Sequence, residues 1–272
     1  MIVVLPVILL LLTGGSFSQT TNAISHIKKP LIYQIGNVVH INADGERPLL
    51  RALEALQQKY SWIVDYEDPP YSADANQPEN TASPPSRRHP NARNGRREPF
   101  SVEFTVGPTA DDPPDENAIL TTVMNAYNDG STGAQYELRD ENNNENDKNN
   151  DKQQKHRFDV VGVNRHGQQN DTQSQQPILD LPITLRKEPR SAAQTISAIC
   201  DQVSKKSKVS VGVGAIDDTT NGDKRVAIGG TDVPARALLS STVTSMRDHL
   251  SWRLLYDSGS KSYRLNVIGL PQ

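Results

Sequence analysis

The stretch Ser61–Glu67 reads SWIVDYE, and it is matched near the other end of the chain by Ser251–Asp257, which reads SWRLLYD. These two segments contain both tryptophans of the 272-residue sequence. Each follows a stretch with the apolar period of an amphipathic helix, so each has the pattern of a strand that returns from a helix. We therefore predict that the chain repeats a helix-to-strand unit.

Hydrophobic periodicity extends this unit to four blocks, each with the order strand, helix, strand. The blocks cover residues 38–66, 100–138, 183–213 and 225–256. Two further strands, at 158–163 and 263–268, follow the second and the fourth block. The pattern of each half of the chain is therefore βαβ–βαβ–β.

Each predicted helix has a proline in or beside its first turn, where a missing N–H donor costs nothing and the fixed φ favours helix entry. These residues are Pro48, Pro114, Pro189 and Pro234. Each helix also carries an apolar face, and burial of one Leu or Ile there stabilises the fold by roughly 1.5–3 kcal/mol. We expect these faces to be buried, with the following representatives: Leu53, Ile119, Ile196 and Val243.

These patterns predict an α+β fold of two tandem small domains, each with two helices packed on small mixed sheets. The N-terminal domain covers 36–163, a linker covers 164–177, and the C-terminal domain covers 178–270. Two insertions in the first domain, at 68–98 and 140–156, lack the apolar residues needed to offset the entropy of ordering. We predict that both insertions are disordered.

The first 18 residues have the pattern of a signal peptide. The apolar run that ends at Leu12 is too short for a transmembrane helix, which needs about 20 residues, and small residues follow it. We expect export to the periplasm or to the medium, with no membrane span after cleavage. Because no Lys or Arg precedes the run, an uncleaved anchor stays open as the alternative. The one cysteine, Cys200, excludes an internal disulfide and is predicted to be a small buried hydrophobe.

The second half resembles a known family in three short motifs. These are Val233–Leu239 (VPARALL), Leu250–Leu254 (LSWRL) and Tyr263–Val267 (YRLNV). They resemble the short N-terminal domain shared by secretins and TonB-dependent receptors, the STN domain. The resemblance extends over Leu181–Leu270, about a third of the chain, and the N-terminal half follows the same order of elements with two long insertions. The resemblance implies an envelope module that binds partner proteins and is not itself catalytic.

No motif in the sequence indicates a catalytic residue, a cofactor site or a metal site. Gly212-Val213-Gly214 begins like a nucleotide-binding loop, but the third glycine is missing and no helix is predicted to follow. Ser258-Gly259-Ser260-Lys261 has Ser-x-x-Lys spacing, but it joins two strands and is typical of a turn. The six histidines lack the paired spacing of zinc ligands.

Two features are candidates for partner binding. The first is a cluster of arginines in the longer insertion, namely Arg87, Arg88, Arg93, Arg96 and Arg97, which fits an anionic protein surface or is simply solvated. The second is the pair Trp62 and Trp252, which either pack against the preceding helix or form an exposed aromatic patch. The net charge of −3 and the lack of aromatic residues among the arginines argue against nucleic acid. We expect envelope or extracellular proteins as partners, while the oligomeric state is not indicated.

An enzymatic alternative rests on the carboxylates beside the two tryptophan segments. Asp65, Glu67 and Asp257 recur next to the aromatic residues. A hydrolase or glycan-processing enzyme requires two such carboxyl groups about 5–10 Å apart around a cleft. The position of these side chains therefore distinguishes the two hypotheses.

Overall fold

The computed structural model describes residues 31–69, 100–107, 114–131, 135–140, 156–163, 176–217, 225–247 and 249–270. Within these residues the fold is α+β, as predicted. The first half contains β1 (Ile32–Ile35), β2 (Val38–Ala43), α1 (Pro48–Tyr60), β3 (Ile63–Glu67), β4 (Phe100–Thr105), α2 (Glu116–Gly130), β5 (Gln135–Asp140) and β6 (Arg157–Val163). After a short 3₁₀ turn at Ile178–Asp180, the second half contains β7 (Pro182–Ser191), α3 (Ala192–Ser207), β8 (Val211–Ile216), β9 (Arg225–Pro234), α4 (Ala235–Met246), β10 (Leu250–Asp257) and β11 (Ser262–Gly269).

The helix starts confirm the proline prediction in part. Pro48 lies in the first turn of α1, and Pro234 immediately precedes α4. The prediction is wrong for α3, because Pro189 lies inside β7. There Ser191 caps the helix instead, in a capping box with Gln194 that satisfies two backbone N–H groups.

The apolar faces of all four helices are buried, as predicted. The four representative side chains, Leu53, Ile119, Ile196 and Val243, are at most 5% exposed. The buried side chains form two apolar clusters, one in each half of the chain. The single cysteine, Cys200, belongs to the second cluster and is 3% exposed, which confirms its prediction as a buried hydrophobe.

The strands form three sheets, and the largest is shared by the two halves. Its strand order is β5-β6-β3-β10-β11-β8, while β1-β2-β4 and β7-β9 form two smaller sheets. The halves meet where β3 and β10 pair in parallel, with Arg253 opposite Tyr66 and Leu254 opposite Glu67. The predicted arrangement of two separate domains is therefore not confirmed, since one sheet runs through both halves.

Within the shared sheet, the two halves have the same connections. In the first half β5 pairs antiparallel with β6, and β6 pairs in parallel with β3. In the second half β10 pairs antiparallel with β11, and β11 pairs in parallel with β8. By position, β8 is thus the counterpart of β3, and β10 is the counterpart of β5.

The helices of the two halves lie on opposite faces of the shared sheet. The consecutive residues Leu254 and Leu255 of β10 show this directly, because successive side chains of a strand point to opposite faces. Leu254 belongs to the second-half cluster, whereas Leu255 packs against the first-half cluster. The two halves are therefore related by a half-turn about a line that runs across the strands, combined with a shift along that line.

Candidate functional site

The two similar segments SWIVDYE and SWRLLYD lie side by side at the junction of the halves. The tryptophans themselves are buried, Trp62 at 5% exposure and Trp252 at 0%. Trp62 stacks on Tyr60, with ring centroids 4.7 Å apart, and the guanidinium of Arg236 lies 5.4 Å from the Trp252 ring centroid. This burial corrects the partner-binding role predicted for both tryptophans, because large aromatic rings are most stable within the core.

The carboxylate of Asp65 fixes the start of β10 on β3. Asp65 is completely buried and forms an ion pair with Arg157. Its Oδ1 accepts a hydrogen bond from the backbone N–H of Trp252 at 2.7 Å. Arg157 in turn donates to the carbonyl of Leu250 at 2.9 Å. The pair therefore connects strands of both halves, and each charge is neutralised by the other.

A second buried cluster of charges surrounds Arg236 of α4. Its guanidinium contacts three carboxylates: Glu67, Asp159 at 3.4 Å and Asp180 at 2.8 Å. Glu67 and Asp159 belong to strands of the first half, and both are at most 1% exposed. Arg139 of β5 also reaches Asp180, at 2.7 Å. The cluster thus ties α4 and the 3₁₀ turn to the first-half strands.

The pKa values in these clusters follow from burial and from the neighbouring charges. Burial raises the pKa of the Asp65 carboxyl and outweighs the attraction of Arg157. Burial also raises the pKa of Glu67, against the attraction of Arg236. For Arg236, burial acts to lower the pKa, but the charges of Glu67, Asp159 and Asp180 outweigh it and raise the pKa. Arg236 is therefore charged at neutral pH.

Asp68 adds a third polar contact at the junction. The sequence places this residue in a disordered insertion, but its side chain is 1% exposed. It forms an ion pair with Arg47 at 2.8 Å, accepts from the hydroxyl of Tyr66 at 2.8 Å, and accepts from the backbone N–H of Tyr256 at 2.8 Å. The predicted start of the insertion at residue 68 is thus wrong by at least this residue.

The three carboxylates of the enzymatic alternative do not share a cleft. Asp65 and Glu67 are both fully buried in ion pairs with arginines. Asp257 is exposed in the turn between β10 and β11, where it accepts from the Ser260 hydroxyl at 2.8 Å and from the Gly259 N–H at 2.9 Å. These two bonds lower the pKa of Asp257. Its role in the structure is to fix a turn.

The free edge of the shared sheet at β8 is the second candidate site, and its local structure matches that of β3. The preceding helices α1 and α3 both end at a left-handed residue, Ser61 with φ 58° and Lys208 with φ 62°. Both cap N–H groups donate to the carbonyl four residues earlier, on Gln57 and Ser204. The two helix-to-strand connections are therefore built in the same way.

Side chains at the helix ends confirm this alignment of β3 with β8. Gln57 donates to the carbonyl of Val64 at 3.0 Å, and the Ser204 hydroxyl accepts from the N–H of Val211 at 2.9 Å. Val64 and Val211 thus occupy equivalent positions, three residues after the cap. The alignment places Asp65, Tyr66 and Glu67 at the positions of Gly212, Val213 and Gly214.

At β8 the outer backbone groups of Val213 point away from the sheet. The N–H of Tyr263 on β11 donates to the carbonyl of Ser210 at 2.8 Å. Because alternate residues of a parallel strand face the neighbouring strand, Val211 and Val213 direct their backbone groups outward. No strand of the described residues pairs with β8 on this side. The Val213 side chain is 38% exposed, whereas the side chain of its counterpart Tyr66, on the strand that pairs with β10, is 1% exposed.

At β5, the opposite end of the sheet, a side chain occupies the edge. The N–H of Tyr136 donates to the amide oxygen of Asn128 at 2.9 Å, and the amide nitrogen of Asn128 donates to the carbonyl of Tyr136 at 2.8 Å. Asn128 belongs to α2, and its side-chain amide forms the hydrogen bonds that a neighbouring strand would form with Tyr136. Glu137 and Arg139 add charges along β5, a common protection of strand edges.

The other predicted partner-binding site lies outside the described residues. It consists of five arginines, namely Arg87, Arg88, Arg93, Arg96 and Arg97. The predicted signal peptide also lies outside the described residues. Among the described residues, no group of three or more His, Cys, Asp or Glu side chains could hold a metal ion. Burial raises the pKa of the Cys200 thiol to about 12, so this thiol is not a nucleophile at neutral pH.

Comparison of the chain with protein-family models, with curated proteins and with solved structures finds no match. Within the described residues, no helix has the length and apolar character needed to cross a membrane.

Proposed function

We propose that the protein is an exported, non-enzymatic protein-interaction module of the bacterial cell envelope, with two STN-like halves, and that it binds its partner at the edge of β8. The partner adds an extended segment to the shared sheet, and its backbone pairs with the outward N–H and C=O groups of Val213. Such strand addition takes its affinity from main-chain hydrogen bonds and its specificity from the neighbouring side chains.

The observation that carries this proposal is the difference between two equivalent strands. The edge of β3 pairs with β10, but the corresponding edge of β8 has no strand beside it in the described residues. The β8 sequence, VGVGAI, contains no charge and no proline, two of the means by which proteins protect a free edge. An edge of this kind is suited to pairing with another chain.

The export and envelope parts of the proposal are supported by the first 18 residues and by the STN-like motifs. The order of elements in the second half, β7-α3-β8-β9-α4-β10-β11, agrees with the order that the resemblance implies. No specific observation favours the enzymatic alternative, because Asp65 and Glu67 are neutralised by buried arginines.

A capture experiment with a matched pair of variants tests this function. Immobilised protein is incubated with an envelope extract, in the native form and as V213P, which removes the outward N–H and is tolerated at a strand edge. Q34P is the control, because Gln34 is an exposed residue of the edge strand β1 and directs its N–H away from β2. We expect a bound protein that V213P loses and Q34P retains. If V213P, shown to be folded by circular dichroism, captures the same proteins as the native form, β8 is not the binding edge.

A further inference from the structure

We infer that the strand that β8 accepts is β8 of a second copy of this chain, in an antiparallel pair with Val213 on the two-fold axis. This inference rests on the proposed use of β8 as a binding edge, and it names the partner at that edge. The result is a dimer in which the two shared sheets form one continuous sheet across the axis.

The backbone of β8 fits such a pair at its centre. In a hydrogen-bonded antiparallel pair, two opposite residues exchange both of their N–H and C=O groups. Val213 directs both groups outward, so two copies of Val213 satisfy each other. On one side of it the N–H of Val211 already donates to Ser204 at 2.9 Å, and on the other the N–H of Ala215 donates to Asn266 at 2.9 Å. The exposed pairing groups are therefore concentrated at one residue, as a short two-fold contact requires.

The charges at the two ends of β8 favour the antiparallel direction. Lys205 and Lys208 precede the strand, and Asp217, whose Oδ2 accepts from the N–H of Gly269 at 3.1 Å, follows it. With Val213 opposite Val213, the acidic end of one strand lies beside the basic end of the other. A parallel pair of two β8 strands would instead place like charges together, which is destabilising. The strand itself contributes no like-charge contact, because it contains no charged residue.

The alternative of a head-to-tail chain is opposed by the other end of the sheet. Such a chain would repeat the internal junction of β3 with β10 by placing β5 of one copy beside β8 of the next. The groups of Tyr136 that this would require are already bonded to Asn128. Ser204 blocks Val211 of β8 in the same way but leaves Val213 open, so a closed pair remains possible and an open filament is disfavoured.

The contact is short, so the dimer forms only at high protein concentration. Stable interfaces bury more than about 1,000 Å² in total. A contact centred on one residue of a six-residue strand buries less surface, so the affinity of the two copies is low. A cross-link at the axis is therefore the appropriate probe. The Cα atoms of a hydrogen-bonded antiparallel pair are about 5.5 Å apart, a separation that a disulfide can span.

The experiment uses the full chain as V213C, oxidised over a series of protein concentrations, with I35C as the matched control. Ile35 is more exposed than Val213, at 65% against 38%, so random collisions would cross-link I35C at least as fast. The native Cys200 needs no replacement, because it is buried with a pKa of about 12. We expect V213C to form the covalent dimer at least about tenfold faster than I35C, since pairing raises the local thiol concentration.

Sedimentation of the unmodified protein completes the test. The inference predicts a monomer–dimer equilibrium that V213P abolishes and Q34P leaves unchanged. Equal cross-linking rates for V213C and I35C overturn it, and so do species larger than a dimer, which would indicate head-to-tail assembly. If the protein stays monomeric while V213P still abolishes capture from the envelope extract, the second copy is excluded and the proposed function stands. If V213P affects neither measurement, both fail.

Discussion

The strands β3 and β8 occupy equivalent places in the two halves of the molecule, yet only β3 has a strand on its outer side in the described residues. At β3 three acidic side chains, Asp65, Glu67 and Asp68, contact groups of the second half. At β8 the corresponding positions are Gly212, Gly214 and Ala215. The same backbone arrangement therefore forms an internal junction at β3, where the side chains are buried and charged. It forms a free edge at β8, where the side chains are small and neutral.

The largest effect is expected from removing the central cation of the junction. Arg236→Met leaves the carboxylates of Glu67 and Asp159 buried without their cation, and we expect it to lower the free energy of unfolding by about 3–5 kcal/mol. Urea denaturation followed by circular dichroism measures this. Arg186→Met is the control, because the Arg186 side chain is 88% exposed and its loss should be close to neutral. Equal stability of the two variants would show that the cluster does not hold the halves together.

The two glycines of β8 provide a sharper contrast. A Cβ atom on Gly214 would lie 2.2 Å from Oδ1 of Asn266 and 2.8 Å from Cγ of Arg264, whereas one on Gly212 would lie 3.9 Å from its nearest neighbour. Gly214→Ala should therefore push the Asn266 side chain away from the Ala215 N–H, from which its Oδ1 accepts at 2.9 Å, and destabilise the fold by about 1 kcal/mol. Gly212→Ala should be nearly neutral in the same thermal or urea titration. The account of β8 packing against β11 is wrong if the order of the two variants is reversed.

Removal of the side chain that bonds the β5 edge should have an effect of similar size on stability and a visible effect on assembly. Asn128→Ala loses two hydrogen bonds to Tyr136, which amounts to about 1–3 kcal/mol. It also opens the edge that would pair with β8 of the next copy, so we expect larger species in sedimentation. Asn117→Ala is the control, because Asn117 lies on the same helix and is exposed. Unchanged sedimentation of Asn128→Ala would contradict the protective role of Asn128.

The smallest effect expected is on the pH dependence of stability. Burial raises the pKa values of Asp65 and Glu67 in the folded protein, so between the ordinary carboxyl value of about 4 and the raised value the folded state binds more protons than the unfolded state. The stabilisation of the folded state by these groups is fully present at a pH below the ordinary carboxyl pKa. It is lost as the pH rises through the raised pKa of the folded state. Glu67→Gln should therefore make the slope of unfolding free energy against pH less negative in this window. The control is Glu103→Gln, since the Glu103 side chain is 64% exposed. An identical slope in native protein and Glu67→Gln would contradict the raised pKa.

The elements of the fold were predictable because apolar period and proline position are local signals. The buried faces of α1 to α4 and most of the strands were found in this way. Two errors have local causes: Pro189 precedes the helix by a few residues and belongs to β7, and Ser191 is the true cap. Strand β1 (Ile32–Ile35) was missed because its exposed half, which includes Ile35, does not alternate clearly.

The sites were less predictable because they depend on pairs of residues distant in the sequence. The similarity of SWIVDYE and SWRLLYD is visible in the sequence, but nothing local shows that these segments become neighbours in one sheet. Asp68 lies beside two prolines in a polar stretch, so its burial against Arg47 and Tyr256 has no sequence signal. The openness of β8 likewise follows only from the strand order. In the sequence, the glycines of β8 have only the pattern of an incomplete nucleotide-binding loop.

Amide hydrogen exchange at two equivalent residues tests the central comparison most directly. In dilute protein we predict slow exchange for the N–H of Tyr66, which lies between β3 and β10, and fast exchange for the N–H of Val213 on the outer side of β8. The Val213 amide should become protected as the protein concentration is raised, while Tyr66 does not change. Equally slow exchange of both amides in dilute protein would mean that the β8 edge is already occupied, and would contradict the account.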